Sequence, residues 1–220
     1  AQIPPTPQLL STTIDVQSPI ASLPRWFLTD EEDFPKRHAY LKASDHITQK
    51  CRNRYQQLAE GKTLVGISWN SMNKSVGKQK SAPLEQLEPL LSLNDCFFIN
   101  LQYEYGDLAL ELDQFANDTG ISIHCDTEIN PLESLDDFAA QVAALDLVIT
   151  ISNTTAHMDG ALGKSVWTLL HYGADWRWLT NRSDTPWYPS MTLFRQSRQG
   201  DWGNVVQQVH STLKGYKSTG

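Results

Sequence analysis

Three cysteines in 220 residues, Cys51, Cys96 and Cys125, lie far apart and form no CxxC pair. That spacing excludes a disulfide-dense scaffold and a structural zinc site, and it predicts reduced thiols. No apolar run approaches the roughly 20 residues that cross a bilayer, and no basic start precedes an apolar block. Neither a membrane span nor a secretion signal is therefore expected, and the expected compartment is the cytoplasm. Positive charge is also scarce: 18 Lys and Arg stand against 25 Asp and Glu, a net charge of −7. Such a chain lacks the basic face that nucleic acid or an anionic membrane demands, although a local cationic site remains open to it. Missing too are internal repeats, low-complexity tracts, an HxxxH pair, a carboxylate triad and a GxSxG elbow. His124 beside Cys125 is not metal spacing, so neither a catalytic metal nor a serine-triad hydrolase is expected.

What is present is regular. Residues 1–45 are rich in proline and turn formers, with apolar islands at Leu9–Leu10, Ile20–Leu23 and Trp26–Leu28, and read as loop and short strand without a core of their own. The opening AQIPPTPQLL, without an initiator Met, reads as the middle of a longer protein. Ser44 or Asp45 caps a helix over 46–59, ended by Gly61, which reads as a linker. Strands and helices then alternate: strand 63–69, helix 83–91 with Pro83 at its start, strand 96–102, helix 106–119, short strand 121–125 and helix 131–144. Strand 147–151, helix 155–162, strand 165–170, strand 193–195 and helix 202–214 follow, before a tail over 215–220 expected to be disordered. This order specifies an α/β fold, a doubly wound parallel sheet with right-handed crossovers, whose ligands bind at the carboxyl ends of the strands. The domain division expected is 1–62, a preceding tail and linker, then 63–214.

The most informative stretch is ALDLVITISNTTAHMDGALGKSV, residues 144–166. An apolar, β-branched run, suited to a strand covered on both faces, stops at Ser152, Asn153, Thr154 and Thr155 and opens a helix. A helix N-terminus presents roughly four unpaired amides and about half a positive charge, so a diphosphate fits there, with His157 in the first turn. The plain alternative is strand, N-cap and helix with no ligand. Other polar candidates fall at strand ends as well. Trp69, Asn70, Ser71, Asn73, Lys74, Lys78 and Lys80 follow the first strand in a loop read as flexible, where a lysine can neutralise phosphate or simply face water. Gln102 and Tyr103 follow the second and suit a base or sugar, or serve as a capping amide and a core ring. Asp136 and Asp137 suit a helix dipole. The aromatic segment HYGADWRWLTNRSDTPWYP, residues 171–189, is either a lid over a ligand or a hydrophobic cover on the sheet edge; Arg177 and Arg182 could reach anions from it.

The blocks LVGISWNS, KSAPLEQLEPLL, INLQY, LDDFAAQVAALDLVITISNTTAHMDGALGKSVWTLL and DWRWLTNRSDTPWYPSMTLFRQ resemble the carboxyl-terminal half of the glycosyltransferase domain that follows tetratricopeptide repeats in many bacterial proteins. That domain is related to the heptosyltransferase-like glycosyltransferases, and the resemblance spans about 63–213. It implies the Rossmann-like second domain of a GT-B fold, binding a nucleotide-diphosphate sugar for inverting, metal-independent transfer to a glycan or protein acceptor. No cofactor besides the donor substrate is implied, nor is nucleic acid as a partner. Carried over by position, Asn153, Thr154, Thr155 and His157 form the diphosphate turn. Lys80 faces the phosphates, Gln102 contacts base or ribose, and Trp69 with Asn70 lines the cleft floor. Lys80 and His157 would stabilise the leaving diphosphate, while the general base would come from an absent amino-terminal half, which activity would require. The turn reads SNTTAH where the heptosyltransferases carry an aspartate and a glycine. The rival expectation is a noncatalytic nucleotide-binding or protein-interaction module that keeps the fold.

Overall fold

The computed structural model describes residues 13, 15–103 and 107–216. It divides into two units, residues 1–35 and 36–220. The first, as far as it is described, contains 3-10 turns at Ile20–Ser22 and Glu31–Asp33 and one α-turn, Pro24–Phe27, with no buried residue. The expected short strand is not found among its described residues, and Leu9 and Leu10 lie outside them.

The second unit is a five-stranded parallel sheet: β1 (Thr63–Ser68), β2 (Cys96–Asn100), β3 (Leu147–Ile151), β4 (Val166–Leu170) and β5 (Met191–Arg195). Their spatial order is β2-β1-β3-β4-β5, all neighbours parallel, so the direction of winding reverses between β1 and β3. Flanking it are α1 (Asp45–Ala59), α2 (Glu88–Leu91, entered through a 3-10 turn Leu84–Leu87), α3 (Leu108–Thr119), α4 (Leu135–Ala143), α5 (Thr154–Ala161) and α6 (Trp202–Leu213). Alternate strand residues feed opposite cores, as the two-residue side-chain period requires. Val65, Ile67, Ile149 and Leu169 face α2, α3 and α6; Leu64, Val148, Val166 and Leu170 face α1, α4 and α5.

Several boundaries differ from the sequence expectation. The segment 121–125 pairs through a single bridge, His124 to Ile99, rather than as a strand. Helix α4 begins four residues after Pro131, because the Ser134 hydroxyl accepts from Asp137 N–H (3.1 Å) and caps it there. Helix α3 begins at Leu108; Gly106, its expected start, lies outside the described residues. The helix read as a linker is built into the second unit, so the structural division falls at 35/36 rather than at 62. Its Cys51, Tyr55 and Ala59 are buried, and Arg52 binds Asp146 (2.7 Å), whose other oxygen accepts from Leu64 N–H. Arg54 and the Tyr55 hydroxyl both bind Asp126. In the expected disordered tail, Tyr216 is anchored: its hydroxyl donates to Asp146 O (3.0 Å) and its ring meets Trp167 edge-on; residues 217–220 lie outside the described set. No helix among the described residues is long and apolar enough to cross a membrane.

Helix α5 lies so close to the segment before β5 that a Cβ on Gly160 would sit 2.4 Å from the Tyr188 ring. Replacing Gly160 with Ala is therefore expected to lower stability by about 1–3 kcal/mol, the usual cost of forcing an atom into a packed core, read as a reduced urea midpoint.

Candidate functional site

The reversal between β1 and β3 opens a crevice at the carboxyl ends of the strands, where an open α/β sheet receives ligands. Its floor is a chain of side-chain hydrogen bonds across three strands. Asn153 Nδ2 donates to Ser68 Oγ (2.8 Å), and Ser68 Oγ donates to Gln102 Oε1 (3.2 Å). Gln102 Oε1 also accepts from Trp69 N–H and Asn70 N–H (3.2 and 2.8 Å), fixing the chain as it leaves β1. The cleft above this floor measures about 500 Å³, within the range of small-molecule sites.

One wall is the start of α5. Asn153 has extended backbone, and its Oδ1 accepts from Thr155 N–H (3.0 Å), Ala156 N–H (3.4 Å) and the Thr150 hydroxyl (3.0 Å). The cap therefore consumes two of the amides that a bare helix end would offer, leaving the Thr154 N–H and the exposed Thr154 hydroxyl at the mouth. His157 lies one turn on, stacked on Trp178 (5.2 Å between centroids, 15° between planes), with Nδ1 3.0 Å from the Tyr188 hydroxyl. That leaves Nε2 as its open ring nitrogen. Burial first, and then the Arg177 charge, push its pKa below the ordinary histidine value, so the ring is neutral at neutral pH.

The opposite wall comes from residues 70–81. This segment is not the open loop expected. Asn70 Oδ1 accepts from Ser71 N–H (2.8 Å) and Ser81 Oγ (2.7 Å), and Asn73 Oδ1 accepts from Ser75 and Val76. The chain closes on itself at Gly77, where a Cβ would meet Ser71 O at 2.3 Å. A single helical turn, Gly77–Lys80, then aims Lys80 into the cleft, while Lys74 and Lys78 are exposed outside it. The Lys80 charge is felt by His157, His171 and Asp175 alike.

The third wall follows β4. Trp178 is fully buried and donates from Nε1 to Ser152 Oγ (2.8 Å), so the aromatic segment is in this part a packed wall. Beside it, Arg177 Nη1 binds Asp175 Oδ1 (2.8 Å), which also accepts from Arg177 N–H (3.1 Å), and the guanidinium lies 4.6 Å over the Trp176 ring. Burial raises the Asp175 pKa, but these bonds and the Lys80 charge outweigh it and hold the carboxyl below its ordinary value. Arg182 instead binds Asp184 away from the cleft. Among the described residues no group of three or more His, Cys, Asp or Glu is placed to hold a metal ion.

Of the eight residues that the resemblance assigns to the site, Asn70, Lys80, Gln102, Asn153, Thr154 and His157 converge on this cleft. Two do not. The Trp69 indole is buried in the core, its Nε1 donating to Glu111 (3.1 Å), because the residue after β1 continues the inward alternation of that strand. Thr155 is wholly buried on the inner face of α5. Asp175 was not singled out, although its place just past the end of β4 is the signal that found the others. Asp159 was missed as well: one turn below Thr155, it is completely buried, and neither carboxyl oxygen has a protein partner among the described residues. Burial raises its pKa well above the ordinary carboxylate value, which favours the neutral acid. Beyond Gln102 a second cleft of about 400 Å³ continues along the sheet edge, its apolar side made by Leu101, Leu108, Leu112 and Ile129.

No protein-family model matches the chain. It is 31% identical over 189 residues to protein FlbA of Caulobacter vibrioides, covering 86% of this chain but only 31% of that protein's length. Among solved structures it resembles the family 9 glycosyl transferase of Veillonella parvula (TM-score 0.57, 12% identity, 80% of this chain and 53% of that one). It also resembles the ADP-heptose lipopolysaccharide heptosyltransferase II of E. coli (TM-score 0.52, 13% identity, 86% and 57%). The chain thus spans a little over half of each, and at such identities the likeness establishes the fold: a five-stranded, Rossmann-like parallel sheet of the kind found in glycosyltransferases.

Removing the Asn153 side chain deletes the cap of α5 and the link to Ser68 together. Asn153→Ala is expected to cost about 2 kcal/mol in urea unfolding, and Asn153→Asp, which keeps the capping oxygen, clearly less. Asp159→Asn tests the neutral acid. Because the folded pKa is raised, the native state holds more protons than the unfolded one above the ordinary carboxylate range, so wild-type stability from this group falls as pH rises. The stability advantage of Asp159→Asn over wild type should widen from pH 5 to pH 8; a gap independent of pH would refute the assignment.

Proposed function

We propose that this chain is the donor-binding domain of an inverting, metal-independent glycosyltransferase, holding a nucleoside diphosphate sugar in the crevice between β1 and β3. The observation that carries this reading is the convergence of Lys80, Arg177, His157 and the Thr154 N–H on one cleft of a protein whose net charge is negative. A diphosphate is the ligand such a set suits: cations from two walls, one open helix amide in a favourable dipole, and a neutral ring nitrogen as a further donor. The structural relatives, a family 9 glycosyl transferase and an ADP-heptose heptosyltransferase, support this chemistry. The sequence blocks that resemble the transferase domain of tetratricopeptide-repeat proteins point the same way.

In this reading the chain's residues act on the leaving group. As the glycosidic bond to the diphosphate breaks, negative charge grows on the departing oxygens, and Lys80 and Arg177 offset it from fixed positions. His157, in the tautomer whose Nδ1 accepts from the Tyr188 hydroxyl, donates from Nε2. Preorganised contacts of this kind supply several kcal/mol of transition-state stabilisation. The base that deprotonates the glycan or protein acceptor comes from outside these residues.

The test is a thermal-shift screen against UDP, GDP, ADP, CMP and dTDP and their sugar conjugates. One of them at about 100 times its Kd should stabilise the fold by about 2.7 kcal/mol. Lys80→Ala, at a residue with no ion pair among the described residues, should keep the unliganded melting temperature and lose most of the shift. Thr155→Ala should lower the melting temperature and keep the shift, because Thr155 does not line the cleft. A shift that survives Lys80→Ala, or none with any ligand, would overturn the reading.

A further inference from the structure

The four groups of cleft residues follow the order of the strands. Gln102 follows β2, Asn70 and Lys80 follow β1, Ser152–His157 follow β3, and Asp175 and Arg177 follow β4. Lys80 and the Thr154 N–H occupy the middle, so an extended ligand with a central diphosphate places its nucleoside at one end of this row and its sugar at the other. The two ends differ chemically. Past Gln102 lies the second cleft, where Leu101, Leu108, Leu112 and Ile129 stand beside Asn100, Asn130 and Gln141, and where the one carboxylate among the described residues, Asp126, is already engaged by Arg54 and Tyr55. At the β4 end stands Asp175, the one carboxylate lining the cleft among the described residues.

A carboxylate is an acceptor only and repels phosphate, so its ligand is a neutral group rich in O–H donors. Its two oxygens are already divided. Oδ1 takes both bonds from Arg177, while Oδ2 makes no protein hydrogen bond among the described residues, in a side chain 30% exposed to the cleft. The pair is held still by the Arg177 guanidinium lying on Trp176. We infer that Asp175, positioned by Arg177, recognises the sugar of the bound donor, Oδ2 accepting hydrogen bonds from hydroxyls of the glycosyl ring. The inference rests on the donor-site reading above and adds to it the residue that distinguishes a nucleotide sugar from the bare nucleotide.

The experiment is calorimetric titration of the chain with matched pairs: UDP and UDP-glucose, GDP and GDP-mannose, ADP and ADP-glucose, dTDP and dTDP-glucose. Wild type, Asp175→Asn and Arg177→Lys are compared. Asn keeps the oxygen that caps the turn and so preserves the segment, checked by an unchanged melting temperature. It loses the charge and the free acceptor. For whichever nucleotide binds, Asp175→Asn should weaken the sugar conjugate about tenfold or more while leaving the bare diphosphate equal or slightly tighter, since a nearby negative charge has gone. Arg177→Lys, which loosens the pair without removing the carboxylate, should weaken the conjugate less than Asp175→Asn. Equal weakening of both ligands by Asp175→Asn, or no change in the conjugate with that variant, overturns the assignment to Asp175 while leaving the donor site standing. Failure of every diphosphate to bind wild type overturns both.

Discussion

The Asn153 amide is the interaction on which the rest of the site depends. One side chain closes the end of β3, caps α5 through two backbone amides, and donates across to Ser68, which passes the connection to Gln102. Parallel strands hold one another by backbone bonds only as far as their last paired residues; beyond them each chain is free to diverge. Here the divergence is set by side chains. Gln102 Oε1 gathers the amides of Trp69 and Asn70, so the exits of β1, β2 and β3 are fixed relative to one another before any ligand arrives.

That arrangement has a cost in binding chemistry. A side chain that caps two helix amides takes them from any anion, so the end of α5 is a weaker anion site than the bare pattern of strand, polar turn and helix suggests. In the donor-site reading proposed above, the remaining attraction comes from charges carried by other segments. Lys80 is brought in by a turn that closes tightly at Gly77, and Arg177 by a segment anchored through Trp178 to Ser152. Local positive charge in an acidic protein is thus assembled from separate walls rather than from a basic run in the sequence.

The alternation of strands and helices was legible because each buried strand is a short apolar run and each helix has a visible cap or apolar stripe. Site positions were legible for the same reason: polar residues at predicted strand ends fall at the crevice by topology alone. Orientation was not. Trp69 and Thr155 sit in the right places along the chain, but strand alternation sends one indole into the core and helical periodicity turns the other side chain inward. The linker helix failed as a linker because the partners of Arg52, Arg54 and Tyr55 are about 70 to 95 residues away, and pairing at that separation leaves no local trace. Asp159 left no trace in the sequence because a charged residue type reads as exposed, whereas helical periodicity places this one in the core.

The second half of α5 shows how packing reaches the chemistry. Gly160 lets the Tyr188 ring approach the helix more closely than any side-chain-bearing residue would, and that approach brings the Tyr188 hydroxyl to His157 Nδ1. Trp178 covers one face of the imidazole by stacking, and is itself fixed by Ser152 just past the end of β3. With one ring nitrogen engaged and one face stacked, the histidine has a single ring nitrogen, Nε2, to offer the cleft, and burial favours the neutral ring. A glycine one turn away from the turn residues thereby sets which nitrogen of His157 is left to face the cleft. The geometry of the site is decided as much by what α5 packs against as by the polar residues that line the opening.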